Sequence, residues 1–203
     1  MAGAKPLTKP LIVLDRDGVL NALIDNPAEP RPDSPLHTTE VAVFPWVPIV
    51  LRDLTRAGFD VVIASNQPAA AKGKTTRAEL QAVHAAVVLE ATAAGGVIVS
   101  SHICYHRAED ACTCRKPATG LLAEAFARNP GHDVATSWMV GDRASDVIAG
   151  VTFGMQTALV GDVAAEDRAA LAARDLAPTF EGRDLRDFAA YLGITGVTSS
   201  GRH

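Results

Sequence analysis

Four apolar residues, Leu11-Ile12-Val13-Leu14, run directly into Asp15-Arg16-Asp17-Gly18. A short apolar run, half of it β-branched, bounded by Pro10 and a polar cluster reads as a strand buried on both faces, as found in the middle of a parallel sheet. The two aspartates then fall at the carboxyl end of that strand. Side chains alternate along an extended segment, so Asp15 and Asp17 project to one side, and Gly18 lets the backbone turn sharply after them. Two carboxylates held together repel, so the pair implies a cation or a shared proton. On local grounds the same residues also suit an ordinary turn with side chain to backbone bonds.

The rest of the chain supplies the partners such a strand needs. A proline-rich, aperiodic stretch over 21–39 reads as a long loop across the carboxyl edge of the sheet. Apolar residues at helical spacing begin at Val47, with Pro48 tolerated in the first turn and Gly58 as a stop. A second buried strand over 59–64 ends in Ser65-Asn66-Gln67. Thr76-Arg77-Ala78-Glu79 has capping-box spacing, and an alanine-rich helix follows to about 94, where Gly95-Gly96 ends it. Further strands are expected over 97–103, 137–140 and 156–160, and helices over 120–128, 145–151, 164–174 and 185–192. This alternation predicts an α/β fold: an open parallel sheet sandwiched by helices, with its ligand at the carboxyl ends of the strands. Residues 10–194 are expected to form a single domain between flexible ends at 1–9 and 195–203, with no room for a separate cap domain.

All three cysteines lie in Cys104-Tyr105-His106-Arg-Ala-Glu-Asp-Ala-Cys112-Thr113-Cys114. No signal peptide or membrane span is legible, so the expected location is cytoplasmic, where thiols stay reduced and point to metal binding or catalysis. Cys104, His106, Cys112 and Cys114 match the Cys₃His set of a closed, structural zinc site, whose work would be to fix the loop carrying Arg115 and Lys116. The net charge of −4 argues against a nucleic-acid backbone as the main partner, and no membrane partner is expected.

Reactive groups close three strands: Asp15 and Asp17, then Ser65, then Asp142 with Asp146 one helical turn beyond. Lys116 follows the cysteine loop. In this joint form the chain resembles the haloacid dehalogenase (HAD) superfamily of phosphohydrolases, through Asp15-Arg16-Asp17-Gly18-Val19, Ser65-Asn66-Gln67, Lys116-Pro117 and Gly141-Asp142-Arg143-Ala144-Ser145-Asp146. The resemblance implies that Asp15 attacks phosphorus to give an aspartyl-phosphate, while Asp17 protonates the leaving oxygen and later activates water. It implies a catalytic Mg²⁺ on Asp15, the Asp17 main-chain carbonyl and Asp142, with Ser65 and Lys116 holding the phosphoryl oxygens. Arg16, Asn66, Gln67, Arg115 and Arg143 are expected to contact substrate. Asp146 is better placed to orient Lys116 or Arg143 than to bind metal.

The cysteine loop with Cys114-Arg115-Lys116-Pro117 narrows the likeness to a branch containing heptose bisphosphate phosphatases and histidinol-phosphate phosphatases. Asn21 and Lys72-Gly73-Lys74-Thr75 look more like the heptose enzymes, and Lys72, Arg115 and Arg143 offer cations for a second phosphate. Two stretches depart from the heptose pattern: Pro68-Ala69-Ala70-Ala71-Lys72, and the loop over 23–35, which lacks the usual Gly-Tyr-Val. The expected partner is therefore a small sugar phosphate, met by an enzyme able to act as a monomer. Histidinol phosphate, or a catalytically silent zinc-stabilised binding protein, stand as alternatives.

Overall fold

The computed structural model describes residues 9–25 and 32–194. The expected flexible ends, Lys9 apart, lie outside these residues, as does the centre of the first loop. Six parallel strands are laid out in the order β3-β2-β1-β4-β5-β6. They are β1 (Leu11–Leu14), β2 (Asp60–Asn66), β3 (Ser100–Cys104), β4 (Trp138–Gly141), β5 (Gln156–Val160) and β6 (Phe180–Gly182). Helices α1 (Val47–Arg56), α2 (Arg77–Ala91), α3 (Gly120–Arg128), α4 (Ala144–Phe153), α5 (Ala165–Ala172) and α6 (Leu185–Tyr191) connect them or follow them.

β1 shows why the opening stretch constrains the fold. Its residues alternate between two cores: Ile12 and Leu14 pack with α1, α2 and α6, whereas Leu11 and Val13 pack with α3 and α4. All four are fully buried, and each such aliphatic side chain contributes about 1.5–3 kcal/mol. β1 is flanked by β2 and β4, with Ile12 beside Val61 and Trp138. The Asp15 N–H still donates to the Val140 carbonyl at 2.8 Å, so pairing continues into the first aspartate.

Between β1 and β2 the described residues hold only the first loop, a short 3-10 turn at Thr38–Glu40 and α1. Between β2 and β3 lie a tight turn and α2, so among the described residues neither interval holds a cap domain. Two expectations shift. The third strand starts at Ser100 and not at 97, because the Val97 N–H is taken by the Thr55 hydroxyl of α1 at 3.0 Å, leaving only Val99 to reach Val61. β6 was absent from the expected strands; it pairs along the edge of β5, with Gly182 beside Val160. No helix among the described residues is long and apolar enough to cross a membrane.

Candidate active site

The carboxyl ends of β1, β2 and β4 open into a polar cavity of about 330 Å³. Asp15 and Asp17 enter it from β1, Ser65 and Asn66 from β2, and Lys116, Arg115 and Arg143 from the loops beyond β3 and β4. Gly18 has φ +80°, and a side chain there would run into the Asp142 carboxylate. The absence of one lets the turn after β1 lie against the turn after β4.

Asp15, Asp142 and Asp146 bring carboxylate oxygens within 4.8 Å of one another. Lys116 lies among them, its ammonium 2.6 Å from Asp146 and 3.1 Å from Asp15, and also donates to the Ala64 carbonyl at 2.6 Å. Burial alone would depress its pKa, but Asp146 and Asp15 outweigh that and raise it above the usual lysine value. One buried cation does not balance three carboxylates. Asp142 is accordingly pushed up to about 8, by burial first and then by the charges of Asp15 and Asp146. Its Oδ1 is buried without a hydrogen-bond partner. An orphaned carboxylate oxygen in an all-oxygen cluster is what a hard divalent cation such as Mg²⁺ would satisfy.

The expected residues divide into two groups. Asp15, Asp17, Ser65, Lys116, Arg115 and Arg143 gather at the cavity. Arg16 and Gln67 do not line it, and their side chains act on Asp17 instead. Arg16 is wholly buried and donates to the Asp17 carboxylate through Nε at 3.1 Å and Nη2 at 3.0 Å. Gln67 Nε2 reaches the same carboxylate at 2.5 Å and the Ser65 hydroxyl at 3.0 Å, and Asn21 Nδ2 adds a bond at 2.9 Å. Asn66 lines the cavity but turns its amide on the Lys116 main chain, accepting from its N–H at 3.1 Å and donating to its carbonyl at 3.0 Å. Asp146 pairs with the Lys116 ammonium and accepts from the Arg143 main-chain N–H at 3.1 Å, while its carboxylate also lies within the acidic cluster. Asp33 and Ser34 also line the cavity without having been singled out. They sit in an aperiodic loop whose path only the folded chain reveals.

Beside this cavity, Cys104, His106, Cys112 and Cys114 converge, their ligating atoms all within 4.8 Å. The Cys104 to Cys112 sulfurs are 3.7 Å apart, and His106 Nδ1 is 3.3 Å from Cys114. Sulfurs about 2.3 Å from a shared zinc would span about 3.7 Å across a tetrahedral edge, so the set fits that ion. The three cysteines are free, and Cys114 is pushed up to about 12 by burial and by its two thiol neighbours, since crowded thiols resist ionisation without a cation. The loop is tied to the fold at Gly120, whose N–H donates to Thr113 at 2.9 Å where any side chain would collide.

Residues 113–188 match the HAD-hydrolase-like family model. The chain is 34% identical over 155 residues to the D-glycero-beta-D-manno-heptose-1,7-bisphosphate 7-phosphatase of Pseudomonas putida, covering 74% of this chain and 81% of that one. It is 30% identical over 139 residues to a histidine biosynthesis bifunctional protein of Legionella pneumophila, covering 68% of this chain but 37% of that one. The crystal structure of D,D-heptose 1,7-bisphosphate phosphatase from B. bronchiseptica, complexed with magnesium and phosphate, superposes with a TM-score of 0.75 at 32% identity, over 90% of this chain and 97% of that one. With the acidic cluster at the sheet's carboxyl edge and relatives of this kind across most of its length, the chain belongs to the HAD-like hydrolases and is a phosphatase.

Proposed function

We propose that the protein is a Mg²⁺-dependent phosphomonoesterase that removes the 7-phosphate of D-glycero-D-manno-heptose 1,7-bisphosphate through an aspartyl-phosphate. The observation that carries this reading is the convergence of Asp15, which lines the polar cavity, with Asp142, whose Oδ1 is buried and has no hydrogen-bond partner. Mg²⁺ held by Asp15, the Asp17 carbonyl and Asp142 would neutralise charge between an anionic nucleophile and an anionic substrate.

In the first step an Asp15 oxygen bonds to phosphorus, the ester P–O bond breaks, and the leaving oxygen takes a proton from Asp17. In the second, water attacks phosphorus, Asp17 receives its proton, and the bond to Asp15 breaks to release inorganic phosphate. Ser65, which lines the cavity, donates its hydroxyl proton to a phosphoryl oxygen. Lys116 already directs three donor contacts inward, so it acts by holding Asp15 and Asp146 as much as by meeting the phosphoryl group. Arg16, Gln67 and Asn21 hold the Asp17 carboxylate for its proton transfers.

A bisphosphate is favoured because Lys72, Arg115 and Arg143 line the cavity and form no ion pair among the described residues. Unanswered cations at the mouth of a phosphate site suit a second phosphate. Zinc on the cysteine cluster is proposed to be structural, and the enzyme is proposed to act as a monomer. Reduced thiols in that cluster suit a cytoplasmic location.

The test is phosphate release from heptose 1,7-bisphosphate with Mg²⁺, beside histidinol phosphate, for the natural chain and for Asp15→Asn. Release from the bisphosphate at the higher kcat/KM is expected, with loss of at least ~10⁴-fold in Asp15→Asn at unchanged Tm. Activity surviving Asp15→Asn would remove the nucleophile. Preference for histidinol phosphate would replace the substrate, a reading supported by the likeness to the Legionella protein. No turnover on a panel of sugar phosphates would favour a silent binding protein.

A further inference from the structure

Part of the cavity wall is made where two loops meet, Asp33 and Ser34 coming from the first loop and Pro68 and Lys72 from the turn after β2. Each loop is braced within itself. The first is closed by an antiparallel bridge between Ile24 and Asp33, with backbone bonds of 2.8 and 3.0 Å. The second is wound by Lys72 N–H to Pro68 and Lys74 N–H to Ala69, each 3.0 Å, and turns at Gly73, which has φ +72°. Side chains then join the two: Lys74 Nζ lies 2.8 Å from Asp33 Oδ2, and the Thr75 hydroxyl donates to the Leu36 carbonyl at 3.4 Å.

The joint has a definite charge. Burial would raise the Asp33 pKa, but the bond from Lys74, the Ser34 N–H and the charges of Lys74 and Lys72 bring it below the usual value. Asp33 is therefore an anion answered by Lys74. Lys72, two residues away in the same turn, faces the cavity with no ion pair among the described residues.

We propose that the Asp33–Lys74 ion pair is a clasp between the two loops that holds Lys72 in place as the cation reading the part of the substrate that is not transferred. Lys72 touches the substrate's second anionic group, and Asp33 and Lys74 are positioning residues. The inference rests on the bisphosphate reading above and adds to it the residues that set the preference. The clasp joins Asp33 of the divergent first loop to Lys74, which lies just beyond the divergent stretch over 68–72.

The experiment measures steady-state kinetics of the full chain with Mg²⁺ on heptose 1,7-bisphosphate and on the matched 7-monophosphate. Lys72→Met should raise KM for the bisphosphate about twentyfold, the loss of one charged hydrogen bond to phosphate. Lys74→Met should raise the same KM about fivefold, with kcat and the monophosphate KM unchanged. Lys74→Arg, which keeps the charge and much of the reach, should restore it. An equal rise in both KM values in Lys74→Met, or a lowered Tm with the ratio of the two unchanged, would reduce the pair to a structural contact and overturn the proposal. Turnover on neither substrate by the natural chain would instead overturn the phosphatase reading, and the clasp's role with it.

Discussion

Lys116 is enclosed by protein and yet stays charged, because Asp15 and Asp146 surround it. Replacing it with methionine would leave those carboxylates buried without their cation. Removing one partner of a buried pair typically costs about 3–5 kcal/mol. Lys116→Met should therefore lower stability by an amount of that order in denaturant titrations without Mg²⁺, and saturating Mg²⁺ should recover part of it. Asp142 makes a second prediction. Its folded pKa of about 8 lies well above the 3.8 of an ordinary aspartate, so the folded, metal-free chain holds a proton that the unfolded chain has released. Stability then falls as pH rises from about 4 toward 8. Mg²⁺ would take the proton's place, so its affinity should tighten over that same interval with release of a proton. Thermal scans with chelator and with Mg²⁺ from pH 5 to 8 test both signs; a metal-free Tm that rises across the interval would contradict the assignment. Asp15, Ser65 and Asp142 were legible in the sequence because a strand end determines where such a residue points. Arg16, Asn66 and Gln67 were legible as present but not in their work, because an inward and an outward rotamer share one motif.

At the scale of elements, the loop over 104–116 has little regular structure to hold it. The Arg115 N–H donates to the Cys112 sulfur at 3.4 Å, and Lys116 follows directly, so the metal cluster and the catalytic lysine share one short piece of backbone. Purified protein should contain about one zinc per chain. Cys112→Ser should lower zinc content and reduce kcat by about tenfold or more, while far-UV circular dichroism changes little. Full activity in a zinc-free protein would contradict this coupling. The cluster was readable because four ligating residues stood within eleven positions of otherwise featureless chain. β6 was not, since Phe180-Glu181-Gly182 has no β-branched run and forms only against β5. The third strand was read too long for the converse reason: Val97 and Val99 have strand propensity, but both are exposed and Val97 bonds to α1.

Over the whole molecule, the sheet divides two cores, and the last helix closes one of them. Phe188 of α6 is fully buried and stands edge-on to Trp138 of β4, with ring centroids 5.3 Å apart. If residues 10–194 fold as one unit, damage at this distant helix must be felt by all of it. Phe188→Ala should cost about 3–5 kcal/mol and still unfold in a single transition, followed together by tryptophan fluorescence and circular dichroism. Two separated transitions would argue for independent parts. The alternation of strands and helices made the layered architecture legible, whereas the order of the strands was not, because local patterning does not say which neighbour a strand chooses.

That order puts the first strand between the second and the fourth, so the acidic cluster draws on chain segments made early and late. A nascent or refolding chain has no partial version of this centre. Until the fourth strand docks beside the first, the nucleophile stands alone with no place for a divalent ion, and the thiol loop has no finished floor beneath its lysine. Catalysis should thus switch on abruptly, as the last event of refolding, and recovered turnover after dilution from denaturant would time the joining of the two halves of the sheet.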